Sequence, residues 1–363
     1  MQNNRTNSSK TKVELHVHLE GAVRPETIWD LAKTKNVQLP ADSLEGLKNK
    51  IQVHNDNLAE FLEAFDIFMP TFVGDKDAIT RIAYEFCEDC AKQGAAYTEV
   101  RYSPHLLSNS LDTYVLERPR GDLTPRRVVQ AVNEGLKKGC QEFGVKVKVI
   151  LCCLRDRPDW SKDVVELCTE FKGEGVVGID IAGPEPCVTD EETPLQHIHA
   201  FQEAERRGIH RTVHAGENGS YHNVKEAIQI LYAERIGHGY HVVDNDEVYE
   251  MAKRKGVHFE VCPRSSFMTN SVVHDPTKHP VIRFAADGVN FSVSRDDPCI
   301  TALSLDEEYE MLQEKMGLSQ KQILQSIMNA AKAAFLPEDE KTKLIQQLLA
   351  AHENHHGQDG LQA

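Results

Sequence analysis

The sequence predicts an α/β fold of the (β/α)8 TIM-barrel class, with additional helices in the first βα connection and at the C-terminus. Three observations carry that prediction. Short apolar, β-branched segments recur along the chain, each followed by a longer helical pattern, and strands that alternate with helices pair in parallel. The segments number eight, the count that closes such a barrel. No segment is followed by G-x-G-x-x-G or a P-loop, the turns expected of a doubly wound open sheet.

In chain order the predicted strands are Val13–Leu19, Ala96–Tyr102, Val145–Cys153, Val176–Ile181, His210–His214, Arg235–Gly239, Val257–Val261 and Val289–Ser294. Helical stretches lie between them at Pro25–Asn36, Asp77–Gln93, Thr124–Phe143, Asp163–Phe171, Leu195–Arg207 and Asn245–Lys255. The first connection is unusually long and holds Leu58, Phe61, Leu62, Phe65, Phe68, Met69 and Phe72. Those positions follow i, i+3, i+4, i+7, i+10, i+11 and i+14, an amphipathic helix over 58–72. It has two readings: core packing, or an apolar lid over a pocket at the barrel mouth, because a loop that follows a strand emerges on the catalytic face.

The 363 residues would make two or three domains at roughly 150 residues each, but one barrel of this class accounts for the whole length. We expect a disordered leader over 1–10, a single domain over 11–352 and a flexible tail over 353–363. Asp plus Glu exceeds Lys plus Arg by 56 to 41, a net charge of −15, so no large positive field exists to attract nucleic acid, polyphosphate or an anionic membrane. The start, Met1 to Lys12, lacks the apolar core of a secretory signal, and no run of apolar residues is long enough to span a bilayer. The nine cysteines are odd in number and scattered, which fits reduced thiols and a cytoplasmic location.

Where the 17 histidines sit matters more than their number. His16-Val17-His18 ends the first strand. Residues two apart on a strand point to one face, roughly 7 Å apart, so both imidazoles can reach one metal. A second pair, His197-Ile198-His199, starts a helix, where i and i+2 diverge, and reads as surface polar. His214-Ala215-Gly216-Glu217 ends the fifth strand, His238 the sixth, and Asp296-Asp297-Pro298 the eighth. Each has a structural reading: a strand-end histidine is often a hydrogen-bonded core residue, and Asp before Pro is a good helix N-cap. Together they fall where barrel enzymes keep catalytic groups. Three neutral histidines and one carboxylate suit Zn2+ and leave a position for water, whose pKa the ion would lower toward 7. His352-Glu353-Asn354-His355-His356 matches H-E-x-x-H, but the chain ends too soon after it to build a cleft. Cys87-Glu88-Asp89-Cys90 matches C-x-x-C without a second such pair, and Cys152-Cys153 reads as buried barrel wall.

The motifs His16-Val17-His18-Leu19-Glu20-Gly21, Ala182-Gly183, Thr212-Val213-His214-Ala215-Gly216-Glu217, Gly237-His238-Gly239-Tyr240 and Ser294-Arg295-Asp296-Asp297-Pro298 resemble the adenosine deaminase family, within the metal-dependent amidohydrolase superfamily. The resemblance runs from about Val13 to Leu349, with the five motifs in order. It implies that His16, His18, His214 and Asp296 bind one Zn2+ per chain. It implies catalytic roles for Glu217, His238 and Asp297: Glu217 protonates purine N1, His238 orients and deprotonates the attacking water, and Asp297 hydrogen-bonds N7. His18, Glu20, Gly183 and Asp297 would contact substrate, with the Gly183 N–H meeting N3. The implied reaction converts adenosine and 2′-deoxyadenosine to inosine and 2′-deoxyinosine plus ammonia.

Two departures stand out. The family usually has Asp where Glu20 stands, a contact for the ribose 5′-hydroxyl, and the added methylene moves that carboxylate about 1.5 Å. It usually has Asp-Glu after the glycine; here Pro184-Glu185 follows Gly183, and proline removes a backbone donor. The zinc-deaminase type with H-x-E and P-C-x-x-C is not matched, since no Pro-Cys has a second Cys three residues on. The enzyme alternative is a sibling amidohydrolase acting on AMP or an N6-substituted adenine nucleotide, which should need Arg or Lys at the mouth. A catalytically silent barrel used for docking is disfavoured by the intact set of polar residues. The expected partner is a small purine nucleoside, with no nucleic acid and no membrane insertion.

Overall fold

The computed structural model describes residues 11–52, 57–110, 120–185 and 193–359. Eight parallel strands follow one another in sheet order and in sequence order: β1 Lys12–His18, β2 Ala95–Tyr102, β3 Val147–Leu154, β4 Val176–Ala182, β5 His210–Ala215, β6 Arg235–His238, β7 His258–Val261 and β8 Phe291–Val293. The predicted strand positions hold, with ends shifted by one or two residues. Buried strands read as apolar runs because helices cover the outer face while side chains fill the interior.

The seam between β8 and β1 matters most for the site. The Ser294 hydroxyl accepts from the backbone N–H of Leu15 and His16 at 3.3 and 3.0 Å. Just past β8, Val17 and Asp296 form a parallel bridge: His18 N–H donates to the Asp296 carbonyl at 2.9 Å and Asp296 N–H to that of His16 at 3.2 Å. Closing the barrel therefore brings Asp296 beside the two histidines of β1.

Helices start where prolines fix φ at the first turn, as at Pro25–Lys35 and Pro125–Phe143, and stop where a residue takes the left-handed conformation, as at Asn36 and Gly144. The helix predicted over 58–72 is shorter: it runs Leu58–Phe68 and tightens into a 3-10 turn at Met69–Thr71, because Pro70 has no N–H to continue it. The final helix spans Glu338–Asp359, across the boundary drawn at 353, while residues 1–10 and 360–363 lie outside the described ones.

Four sequence readings meet their surroundings here. His197 is buried rather than surface polar: its Nδ1 lies 2.7 Å from Ser161 Oγ and its Nε2 3.2 Å from the Arg155 carbonyl. Leu195–Arg206 packs that face inward, and the two flanking hydrogen bonds offset the desolvation of the ring. Cys87 and Cys90 share the buried face of Lys76–Lys92, and Cys87 Sγ lies 3.8 Å from Cys140 Sγ on the neighbouring helix. Cys152 and Cys153 are buried wall, and His352 Nε2 sits 3.0 Å from the Thr11 carbonyl oxygen.

Candidate active site

The site is assembled at the C-terminal ends of the strands. His16 and His18 project from β1, His214 from β5 and Asp296 from the turn after β8. Their donor atoms lie within 4.8 Å of one another. His16 Nε2 and His18 Nε2 are 3.2 and 3.4 Å from Asp296 Oδ1, and His18 Nε2 faces His214 Nε2 at 3.2 Å.

The outer nitrogens explain what the inner ones present. His16 Nδ1 lies 2.7 Å from Glu260 Oε2, and His214 Nδ1 lies 2.9 Å from Asp180 Oδ2. Each carboxylate accepts an N–H, so each Nε2 is left with a lone pair aimed inward. His18 Nε2 stands 3.2 Å from the lone-pair nitrogen of His214 and 3.4 Å from Asp296 Oδ1, so the donors crowd around one point that a cation can occupy. Three imidazoles and one carboxylate, oriented from behind, fit a divalent metal of the zinc type. Arg101 ties the supports together, donating to Asp180 Oδ2 at 2.8 Å and Glu260 Oε2 at 2.7 Å with no part exposed. Asp296 and His238 both hold positive φ, 64° and 62°, strained for residues with a Cβ and typical of functional positions.

The remaining predicted residues surround this cluster. His238 Nε2 is 3.8 Å from Glu217 Oε2 and 3.9 Å from Asp296 Oδ2, and its Nδ1 is buried without a partner among the described residues. Burial, then the negative charges of Asp296 and Glu185, pushes the Glu217 carboxyl well above its ordinary range. Burial pulls His238 well below its own, since the imidazolium loses its solvation. Asp297 is pushed up by burial and then by Asp296. Its side chain makes no capping bond to the Pro298–Thr301 turn, so the N-cap reading of that carboxyl falls away, and Oδ1 is buried without a partner among the described residues. Gly21 makes room for it: a Cβ there would lie 1.7 Å from Asp297 Oδ1.

A cavity of about 550 Å3 joins these groups, a volume that suits a small ligand. His18, His214, Glu217, His238, Asp296 and Asp297 line its floor, with Glu20 and Gly183 on the walls. Glu20 Oε1 accepts from Ser103 N–H at 2.8 Å; burial raises its pKa to about 7, and Oε2 has no partner among the described residues. Leu58, Leu62, Phe65 and Met69 supply an apolar side. Of the charged lining outside the floor, Glu63, Asp66 and Asp156 are exposed and Arg157 is half-buried.

All nine predicted site residues thus gather in one place. Sequence reasoning missed the layer behind them: Asp180, Glu260, Arg101 and the part played by Glu185. A signal was present for three of these, because Val100-Arg101, Ile179-Asp180-Ile181 and Phe259-Glu260-Val261 each set a charge inside an apolar strand, where it needs a buried partner.

Against known proteins, the family model described as adenosine deaminase matches residues 11–351. Adenosine deaminase of Bos taurus is 48% identical over 346 residues, 95% of each chain. Adenine deaminase from Arthrobacter aurescens superposes with a TM-score of 0.82 at 24% identity, covering 94% of this chain and 99% of that one. N6-methyl-AMP deaminase from Arabidopsis thaliana gives a TM-score of 0.78 at 26% identity, covering 95% and 98%.

Proposed function

The chain belongs to the adenosine deaminase family, and from that premise we propose a zinc-dependent hydrolysis in which each of the gathered residues has a separate task. It is a hydrolytic deaminase of adenosine, taking a small purine substrate. We extend the substrates to 2′-deoxyadenosine, because the acidic residue assigned to the sugar, Glu20, is assigned to its 5′-hydroxyl. The observation that carries the reading is the convergence of four metal donors with Glu217, His238 and Asp297 on the floor of one cavity.

His16, His18, His214 and Asp296 would hold Zn2+, one per chain, which when bound supplies a hydroxide nucleophile at neutral pH. Glu217, kept protonated by burial, donates to purine N1 and draws electrons from C6. His238, kept neutral, aligns the attacking water and accepts its proton. Asp297, also protonated, donates to the lone pair of N7, and the Gly183 N–H meets N3. C6 passes through a tetrahedral state, the C6–N bond breaks and ammonia leaves, so adenosine plus water gives inosine plus ammonia. A purine nucleoside with a tetrahedral, hydroxylated C6 should bind far more tightly than substrate.

A second substrate class is favoured by the likeness to an N6-methyl-AMP deaminase, whose substrate carries a 5′-phosphate. The cavity lining weighs against it. Glu20, Glu63, Asp66 and Asp156 meet Arg157 as the one Arg or Lys among the described lining residues, an environment that repels a phosphate dianion. Initial rates on adenosine, AMP, N6-methyl-AMP and adenine, followed by ultraviolet absorbance, distinguish sugar from sugar phosphate. We expect adenosine to be turned over at least about 100-fold faster than AMP, the cost of roughly 3 kcal/mol of repulsion and desolvation. Faster turnover of AMP would replace this reading with the nucleotide one. No described helix is long and apolar enough to cross a membrane. We place the enzyme in the cytoplasm, supported by eight described cysteines that are all unpaired.

A further inference from the structure

The turn that carries Glu217 is built around an acid from another strand. Glu185 follows β4 and is almost fully buried. Its Oε1 accepts from the backbone N–H of Gly216 at 2.8 Å and from Asn223 Nδ2 at 3.0 Å. Its Oε2 accepts from the N–H groups of Glu217, Asn218 and Gly219 at 2.7, 3.1 and 3.0 Å. Consecutive N–H groups turned toward one anion form a nest, and this one is occupied by a side chain of the protein itself. Gly219 permits the approach, since a Cβ there would lie 2.8 Å from Oε1.

The position of this nest ties two parts of the site together. It begins two residues after His214, a metal donor, and contains the backbone of Glu217. The guanidinium of Arg155 donates to the His214 carbonyl at the same corner. Glu185 itself is absent from the cavity lining, so it acts from behind the wall. We propose that Glu185 is a positioning residue for the deamination: by accepting from four successive backbone N–H groups it fixes the angle at which Glu217 meets purine N1. This rests on the assignment of Glu217 as proton donor. An ionised carboxylate suits the place because it only accepts; glutamine of the same shape would turn an NH2 group toward N–H donors and lose one of the two acceptors.

The test is Glu185→Gln, with Glu217→Gln as its control. For Glu185→Gln the expected result is a fall in kcat on adenosine of about 100-fold, the loss typical of a reacting group displaced by about 1 Å. KM should stay within about threefold and the zinc content unchanged, since neither the cavity walls nor the donor atoms are altered. A merely structural role would lower yield and Tm and leave kcat per folded, zinc-loaded chain at the wild-type value; that result overturns the proposal. If Glu185→Gln does not fold, Glu185→Asp decides. It keeps the charge but draws it back about 1.5 Å, so kcat should fall with KM held, and wild-type kcat would be contrary. Turnover lost in Glu217→Gln but intact in Glu185→Gln rejects the role of Glu185 alone. Turnover intact in both rejects the assignment of Glu217 itself.

Discussion

At the scale of single residues, one physical cause prepares two opposite states. Burial on the floor of a mostly apolar cavity disfavours charge, so it raises the pKa of Glu217 and lowers that of His238. The proposed mechanism needs the acid protonated and the imidazole neutral. With their ordinary values of 4.5 and 6.5 that combination would be present in only about 1% of molecules, at its most populated near pH 5.5. Raising the one and lowering the other both enrich that state. We therefore expect kcat/KM for adenosine to be flat through neutral pH, falling in acid as His238 gains a proton and in alkali as Glu217 loses one. A narrow maximum near pH 5.5 would show that the two groups keep their ordinary order. The donors and acids of the floor were legible in the sequence because each stands at a strand end, in a short motif. Glu260, Asp180 and Glu185 were not, because what they do depends on partners that lie far away in the chain: Glu260 and His16 are 244 positions apart.

At the scale of elements, the helix Leu58–Phe68 resolves a choice that periodicity left open. Phe61, Ala64 and Phe68 are buried, Phe61 also reaching the cavity, whereas Leu62 and Phe65 are half-buried and line it. Core packing and cavity wall are two sides of the same helix. Phe65→Ala should raise KM for adenosine about 5- to 10-fold, because removing the ring takes away roughly 1–1.5 kcal/mol of apolar burial against the substrate, with kcat within about twofold. A lower kcat at unchanged KM would mean that this face acts on the reaction rather than on binding. Strands were read well because each is a compact apolar segment. Several helices were not: Pro263–Met268 and Pro280–Ala286 have six and seven residues, too few for a 3.6-residue period to show.

At the scale of the whole molecule, closure of the barrel is what makes the site. His16 and His18 precede Asp296 by most of the chain, and they meet because the seam between β8 and β1 places Val17 against Asp296. The barrel interior beneath them is ionic rather than apolar. Arg101 and Arg235 link Glu99, Asp180 and Glu260, with Arg235 2.6 Å from Glu99 and 2.7 Å from Glu260. Removing one member would strand a buried charge, at a cost of about 3–5 kcal/mol. The eight-strand count predicted the closure, and the charges inside the strands marked this layer without identifying its pairs. This closure builds the donor set of the proposed metal centre on which deamination would depend. Its most direct test is to strip the protein with a chelator and follow turnover of adenosine as Zn2+ is returned. The stripped protein should show no turnover, and recovery should be full and level off at one Zn2+ per chain; undiminished turnover of adenosine by verified metal-free protein would rule the metal centre out.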